Sequence, residues 1–174
     1  MYKIYSSQYN YKYGNQIHAP YSLATLYSHV DSIEQLKNKF KFQKTFVFRD
    51  NLEKNIKQCH DADFLLCSCY VWNWEITTLL AKEVKEINPN CLIIFGGPHI
   101  PEDITGFFEK YPYIDIIAHG EGEYTLANIL EVYLKDKNWS NVKGISTKDG
   151  RTLPQERIND LSKIPSPYLT NLIW

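Results

Sequence analysis

Two runs constrain this chain more than anything else in it. "ADFLLCSCYV" (62–71) and "CLIIF" (91–95) are apolar at almost every position. A strand with one wet face alternates polar and apolar residues; a strand covered on both faces does not. Both runs are therefore expected to be central strands of a parallel sheet with helices on either side. The residues between them supply the crossover. Asn73 stands where a helix cap belongs, Ile76, Leu79, Leu80, Val84 and Ile87 recur at helical spacing, and "NPN" (88–90) stops the helix.

The alternation extends in both directions. A short strand at 3–8 leads into a polar, tyrosine-rich loop, "YNYKYGNQIH" (9–18). "PYSLATLYSHV" (20–30) reads as a helix, with Pro20 at its first turn where a missing N–H costs little. Asp31 is placed to cap a second helical piece over 32–40, "FQKTFVFR" (42–49) is strand-like, and 50–59 reads as a helix capped by Asp50. Past the central runs, a helix is expected near 102–109, a strand at 113–120 and a helix at 121–135. "VKGISTKDGRTLPQ" (142–155) reads as a strand pair about Lys148-Asp149-Gly150, and 157–174 as an extended tail that Pro165 and Pro167 keep from being helical.

Repeated βα units with right-handed crossovers give an α/β fold, a Rossmann-like (flavodoxin-like) parallel sheet followed by a small hairpin and tail. The division expected is a domain over 1–140 and a hairpin with linker over 141–174. In such sheets ligands bind outside the carboxyl ends of the strands. That rule gathers the loops 9–18, 70–74, 96–101 and 119–123 at one rim.

Composition excludes several classes. A net charge of −1 offers no basic face for nucleic acid or an anionic membrane. No run of about 18 apolar residues exists to span a bilayer, and the N-terminus lacks the apolar core of a signal peptide, so the cytoplasm is the default. Cys59, Cys67, Cys69 and Cys91 form no C-x-x-C pair, and three of them sit in apolar runs, so they read as small buried hydrophobes. Seven of the thirteen tyrosines lie in the first 30 residues, where rings with polar tips suit a half-wet surface.

"SCYVWN" (68–73), "FGGPH" (95–99), "IDIIAHGEGEYTLANIL" (114–130) and the later "INDLSKIPSPY" occur in the order of one known module. Together they resemble the N-terminal cobalamin-binding domain of cobalamin-dependent radical S-adenosylmethionine enzymes, clearly from about Ala62 to Tyr168 and more loosely before. The resemblance implies a corrin held against the strand ends and a nucleotide tail in a slot of the sheet rim. Ser68 matches a serine lining that slot, and Gly96 and Gly97 match the glycine pair beside the tail, where bare backbone lets a bulky group approach. Tyr70, Trp72, Asn73, Trp74, Pro98, His99, Gly120, Glu121, Gly122 and Glu123 belong to the same expected site. One of the two tryptophans is expected against the corrin's lower face. His99 is expected to bond a corrin amide or the phosphate, and Gly120–Glu123 to form a wall.

One departure stands out. Related cobalamin proteins carry Asp-x-His-x-x-Gly after the first strand, whose histidine ligates cobalt; here Tyr9 and Tyr11 stand in the first two places and Gly14 in the last. Phenols replace imidazole poorly. The resemblance thus implies a cobalamin with its own base displaced and no histidine from that motif, leaving His18 in the same loop as the alternative ligand. No C-x-x-x-C-x-x-C is present, so the four-iron four-sulfur cluster and S-adenosylmethionine would belong to a radical domain beyond Trp174, the expected partner. The chain alone is not expected to be catalytic. Two other readings stand beside this one: a docking or regulatory module that has kept the fold without the cofactor, and a small flavin- or nucleotide-binding enzyme. Against the latter, the first loop lacks a phosphate cradle.

Overall fold

In the computed structural model, which describes residues 1–12, 14, 16 and 18–170, both apolar runs lie at the centre of one sheet. The strands are β1 (Tyr2–Ser7), β2 (Phe40–Phe42), β3 (Phe64–Ser68), β4 (Leu92–Gly96), β5 (Ile116–Ala118), β6 (Ile145–Thr147) and β7 (Gly150–Arg151). Their order is β2-β1-β3-β4-β5-β6-β7, parallel through β5 and antiparallel after it. The hairpin therefore extends the main sheet. The strand order reverses between β1 and β3, the switch point at which this class of fold gathers ligands.

The helices are α1 (Tyr21–Ser32), α2 (Leu52–Gln58), α3 (Trp74–Ile87), α4 (Phe107–Lys110) and α5 (Gly122–Lys135). Strand periodicity divides the core between the two faces. Phe64 and Leu66 of β3, with Ile94 of β4, pack against Leu23, Tyr27 and Val30 of α1 and Leu126, Ile129 and Leu130 of α5. Leu65, Cys67, Ile93 and Phe95 turn the other way, onto Leu80, Ala81 and Val84 of α3 and Phe107 of α4. All five residues of β3 are buried, as two-sided coverage requires. The four cysteines are buried free thiols, and Cys59, Cys67 and Cys91 are pushed up in pKa chiefly by that burial.

Four local expectations are corrected. In place of the strand expected at 42–49, β2 forms earlier, at Phe40–Phe42, after which the chain bows away and touches β1 again at a Ser7–Phe46 bridge. The Thr45 hydroxyl turns back onto Ser6 Oγ at 2.9 Å in the bow. The second helical piece at 32–40 is only a set of turns: Asp31 lies inside α1, and Asn38 takes a left-handed φ of 61° that no helix continues through. Asp50 pairs with Lys12 at 3.3 Å and caps nothing. The helix near 102–109 shrinks to α4, because Asp103 Oδ1 accepts from Thr105 N in a tight turn and Gly106 enters at φ 69°. Residues 171–174 of the expected tail lie outside the described residues.

No helix among the described residues is long and apolar enough to cross a membrane.

Candidate functional site

The strand ends β3, β4 and β5 stop at Ser68, Gly96 and Ala118, and α1 and α5 start at the same rim. Between them opens a cavity of about 310 Å3, lined by Ser22, Leu23 and Leu26 of α1, Gly122, Glu123, Leu126 and Ile129 of α5, and Leu66, Ser68, Ile94, Gly96 and Ala118 of the sheet. Tyr70, Gly97, Pro98 and Gly120 edge its mouth. Its volume lies at the small end of ligand sites, and its wall is mostly aliphatic.

Small residues make this space. A Cβ added at Gly96 would meet only Ala118 Cβ and O, at an ordinary 3.7 Å, so anything larger would enter the cavity. Gly120 takes φ +70° with nothing within 4 Å of an added Cβ. Gly97 is different. At φ +103° an added Cβ would stand 2.7 Å from Cys69 O and 2.9 Å from Cys69 N, so what presses on this bare backbone is the neighbouring loop. Of the two glycines expected beside a bulky ligand, Gly96 faces open space and Gly97 faces the neighbouring loop.

Polar groups gather at the mouth. Ser22 Oγ donates to Gln8 Oε1 at 2.8 Å and lies 3.3 Å from Ser68 Oγ. Glu123 Oε1 accepts from Thr25 Oγ1 at 3.1 Å, tying α5 to α1. Glu121 caps α5 by position, while its Oε2 accepts from Ile158 N at 2.7 Å and anchors the tail. Behind the mouth, buried His119 meets Ser146 Oγ at 2.8 Å; burial, and then the Arg151 charge, hold its pKa below the ordinary histidine value.

The loop 69–73 is shaped by Asn73. It precedes α3 as expected, but its side chain makes no cap: Oδ1 accepts from Tyr70 N at 2.8 Å, and Nδ2 donates to Ser68 O at 3.0 Å. Fully buried, it staples the loop to the end of β3. Trp72 is thereby left half exposed, its ring stacked on Tyr70 with centroids 4.5 Å apart. Trp74, one turn position away, points into the other face against Phe95, Phe107, Tyr111 and His99.

A family model for the B12-binding domain matches residues 38–130, more than half of the chain and the span that holds this rim. The chain belongs to the B12-binding domain family. Among relatives of this B12-binding domain, a cobalamin-dependent radical SAM methyltransferase of Streptomyces tokunonensis, TokK, is 33% identical over 159 residues, 88% of this chain and 23% of that protein. A 2-(S-pantetheinyl)-carbapenam-3-carboxylate methyltransferase of Streptantibioticus cattleyicolor is 34% identical over 139 residues, 77% of this chain and 20% of that one. The chain thus spans under a quarter of either relative. The radical S-adenosylmethionine methyltransferase TsrM of Kitasatospora setae, solved with cobalamin and a [4Fe-4S] cluster, shares the fold at TM-score 0.66 and 15% identity, over 95% of this chain and 31% of that one.

Within this B12-binding domain, Ser68, Tyr70, Gly96, Gly97, Pro98, Gly120, Gly122 and Glu123 converge on the cavity, and Trp72 stands beside its mouth. Tyr9 does not reach the rim surface. It is fully buried and accepts from Asn55 Nδ2 at 3.0 Å, and burial drives its phenol pKa up. Tyr11 is exposed with the Arg49 guanidinium 4.1 Å over its ring, and Arg49 also donates to Trp72 O. His18 lies exposed in the first loop, its carbonyl accepting from Asn10 Nδ2. Exposed His99 stacks edge-on against Trp74. Sequence reasoning missed Ser22, Leu23 and Leu26, whose one signal is their place in the first turns of the helix after the first loop. It also missed Asn10 and Arg49, which pin Trp72 from the opposite side.

Proposed function

We propose that this chain is the cobalamin-binding module of a radical S-adenosylmethionine enzyme, working with a catalytic domain carried elsewhere in a longer protein. The observation that supports it most is the apolar cavity between α1 and α5, opening at the strand ends of a B12-binding domain. The residues fit the group. The corrin would lie over the rim formed by the loops 9–18, 70–74, 96–101 and 119–123, with its nucleotide tail entering between Ser68, Gly96 and Gly120. Among the described residues no lysine or arginine lines the cavity, which favours a flat apolar ring over a phosphate chain and weighs against a flavin- or nucleotide-binding enzyme.

Cobalamin, when bound, supplies the redox-active cobalt that methyl transfer or radical chemistry on an unactivated carbon requires. This chain's own residues bind and orient. Ser68 and Ser22 present hydroxyls at the slot's mouth, Asn73 fixes the loop that carries Trp72, and Trp72, held by Asn10 and Arg49, is placed to cover the lower face and keep water from it. Position 11 offers no imidazole, and a nucleotide tail held between Ser68, Gly96 and Gly120 would carry the cofactor's own base away from cobalt. Residues 141–174 lead toward the radical domain, which would carry the four-iron four-sulfur cluster and S-adenosylmethionine. Free buried thiols suit a reducing cytoplasm.

Titrating the metal-free protein with hydroxocobalamin, followed by gel filtration, tests this reading. Comigrating cobalamin with a base-off spectrum is the expected result, unchanged in His18→Ala. A base-on spectrum keeps the binding and sinks the displaced base. No retention at micromolar protein, repeated with the full-length gene product, overturns the reading.

A further inference from the structure

The cavity has a polarity gradient, and a gradient selects. Strands β3, β4 and β5 end at the rim, and α1 and α5 begin there and run back. Residues earlier in the strands and later in the helices are therefore the deeper ones. The polar lining residues are Ser22 and Glu123, each at the first turn of its helix, Ser68, the last residue of β3, and Tyr70 just beyond it, all at the mouth. Leu66, Ile94, Leu26, Leu126 and Ile129 line the depth. Cys67 also borders the cavity, but its thiol turns to the α3 face and meets Ser7 Oγ, so among the described residues the depth is lined by aliphatic side chains.

Three of these mouth groups are also nearly committed. Ser22 donates to Gln8, and one Glu123 oxygen is taken by Thr25. The Ser68 hydroxyl, only loosely held at 3.3 Å from Ser22, is the donor free to turn inward. Such a cavity satisfies one ring nitrogen near the entrance and nothing further in.

We infer that this slot discriminates among corrinoids by the polarity of the lower base, accepting a benzimidazole-type base and disfavouring a purine-type one. This rests on the cobalamin reading above and goes beyond it, from the class of cofactor to which member is taken. The benzo ring of a benzimidazole, with its methyl groups, enters the aliphatic depth at no polar cost. Adenine in the same place carries two ring nitrogens and an exocyclic amine past the mouth, all losing water without gaining a side-chain partner. One or two such unmet groups correspond to about a ten- to hundredfold loss in affinity.

The test is a set of binding titrations on the 174-residue chain, followed by tryptophan quenching and visible absorbance, with three probes. They are cobalamin, the adenine-based cobamide, and cobinamide, which lacks the nucleotide tail. Cobalamin is expected to bind at least about tenfold tighter than the adenine-based cobamide. The latter is expected to bind close to cobinamide. Gly96→Val, whose Cβ fits and whose methyls fill the slot, is expected to pull cobalamin down to the affinity of cobinamide while leaving cobinamide unchanged. That unchanged value also shows that the variant folds. Equal affinities of cobalamin and the adenine form overturn the inference while leaving the cofactor reading intact, as does a preference that survives in Gly96→Val. Failure of all three probes, cobinamide included, on this chain and again on the full-length gene product sinks the cofactor reading and this inference with it.

Discussion

The two faces of the sheet meet the same rim in opposite ways. On the α3 face the space beyond the strand ends is filled with rings: Phe95, Trp74, Phe107 and Tyr111 form a continuous aromatic contact, with His99 at its edge. On the α1/α5 face the corresponding positions are Gly96, Ala118, Gly120 and Gly122, and a cavity stands where rings would be. Phe95 and Gly96 are adjacent in sequence and project to opposite sides. One face of the rim is thus closed by packed rings, and small residues leave the other open. A parallel sheet permits this because strand alternation lets neighbouring residues answer to different demands.

The comparison breaks first at its filled side. Phe95→Ala removes a fully buried ring and is expected to cost about 3–5 kcal/mol in chemical denaturation; a loss below about 1 kcal/mol would mean the aromatic cluster is not what braces the rim. Gly97→Ala comes next. Its Cβ would collide with the Cys69 backbone at an unfavourable φ, for an expected loss of about 2–3 kcal/mol. An unchanged denaturation midpoint would show that the two loops separate easily.

Gly96→Ala sharpens the contrast, since one residue away the same substitution is expected to leave stability within about 1 kcal/mol of the parent. A large loss there would mean that the open face is as tightly built as the closed one. The smallest effect concerns pH. His119 and His29 are both held below the ordinary histidine value of 6.5, chiefly by burial. The unfolded chain binds these protons more readily, so their contribution is full above pH 6.5 and is lost as pH falls below it. Melting temperature is expected to be lower at about pH 5.5 than at about pH 7.5, and His119→Gln to narrow the gap. Identical melting at both values would show that the imidazoles titrate freely.

The central strands were legible because burial on both faces erases periodicity, and β3 carries that signature over all five residues and β4 over its central three. The edge was not. β2 is three residues long, and its continuation bends so that Thr45 can reach Ser6, a tertiary bond that no local pattern announces. In the site, Ser68, Gly96, Gly120 and Glu123 could be read because they sit in loops or at helix starts that sheet topology brings together. Ser22, Leu23 and Leu26 could not, since a cavity-lining leucine and a core leucine have the same sequence signal. Asn73 was read as a helix cap, and the same side chain at the same position instead bonds backward to Ser68 and Tyr70. Trp72 and Trp74 are two residues apart at a helix start, so the turn of the helix sends one outward and the other into the core.

Gly122 gives this arrangement its scale. A Cβ there would come within 3.0 Å of the Leu26 Cδ2 methyl, so α5 meets α1 across one leucine side chain, while the Thr25–Glu123 bond ties the two helices from the polar side. The two helices form the jaws of a gauge, and these contacts are its spacer. The width of the cavity is thus held by a side-chain contact and a hydrogen bond, and a methyl group added at residue 122 would be felt first as a turn of the Leu26 side chain into the open space beside it.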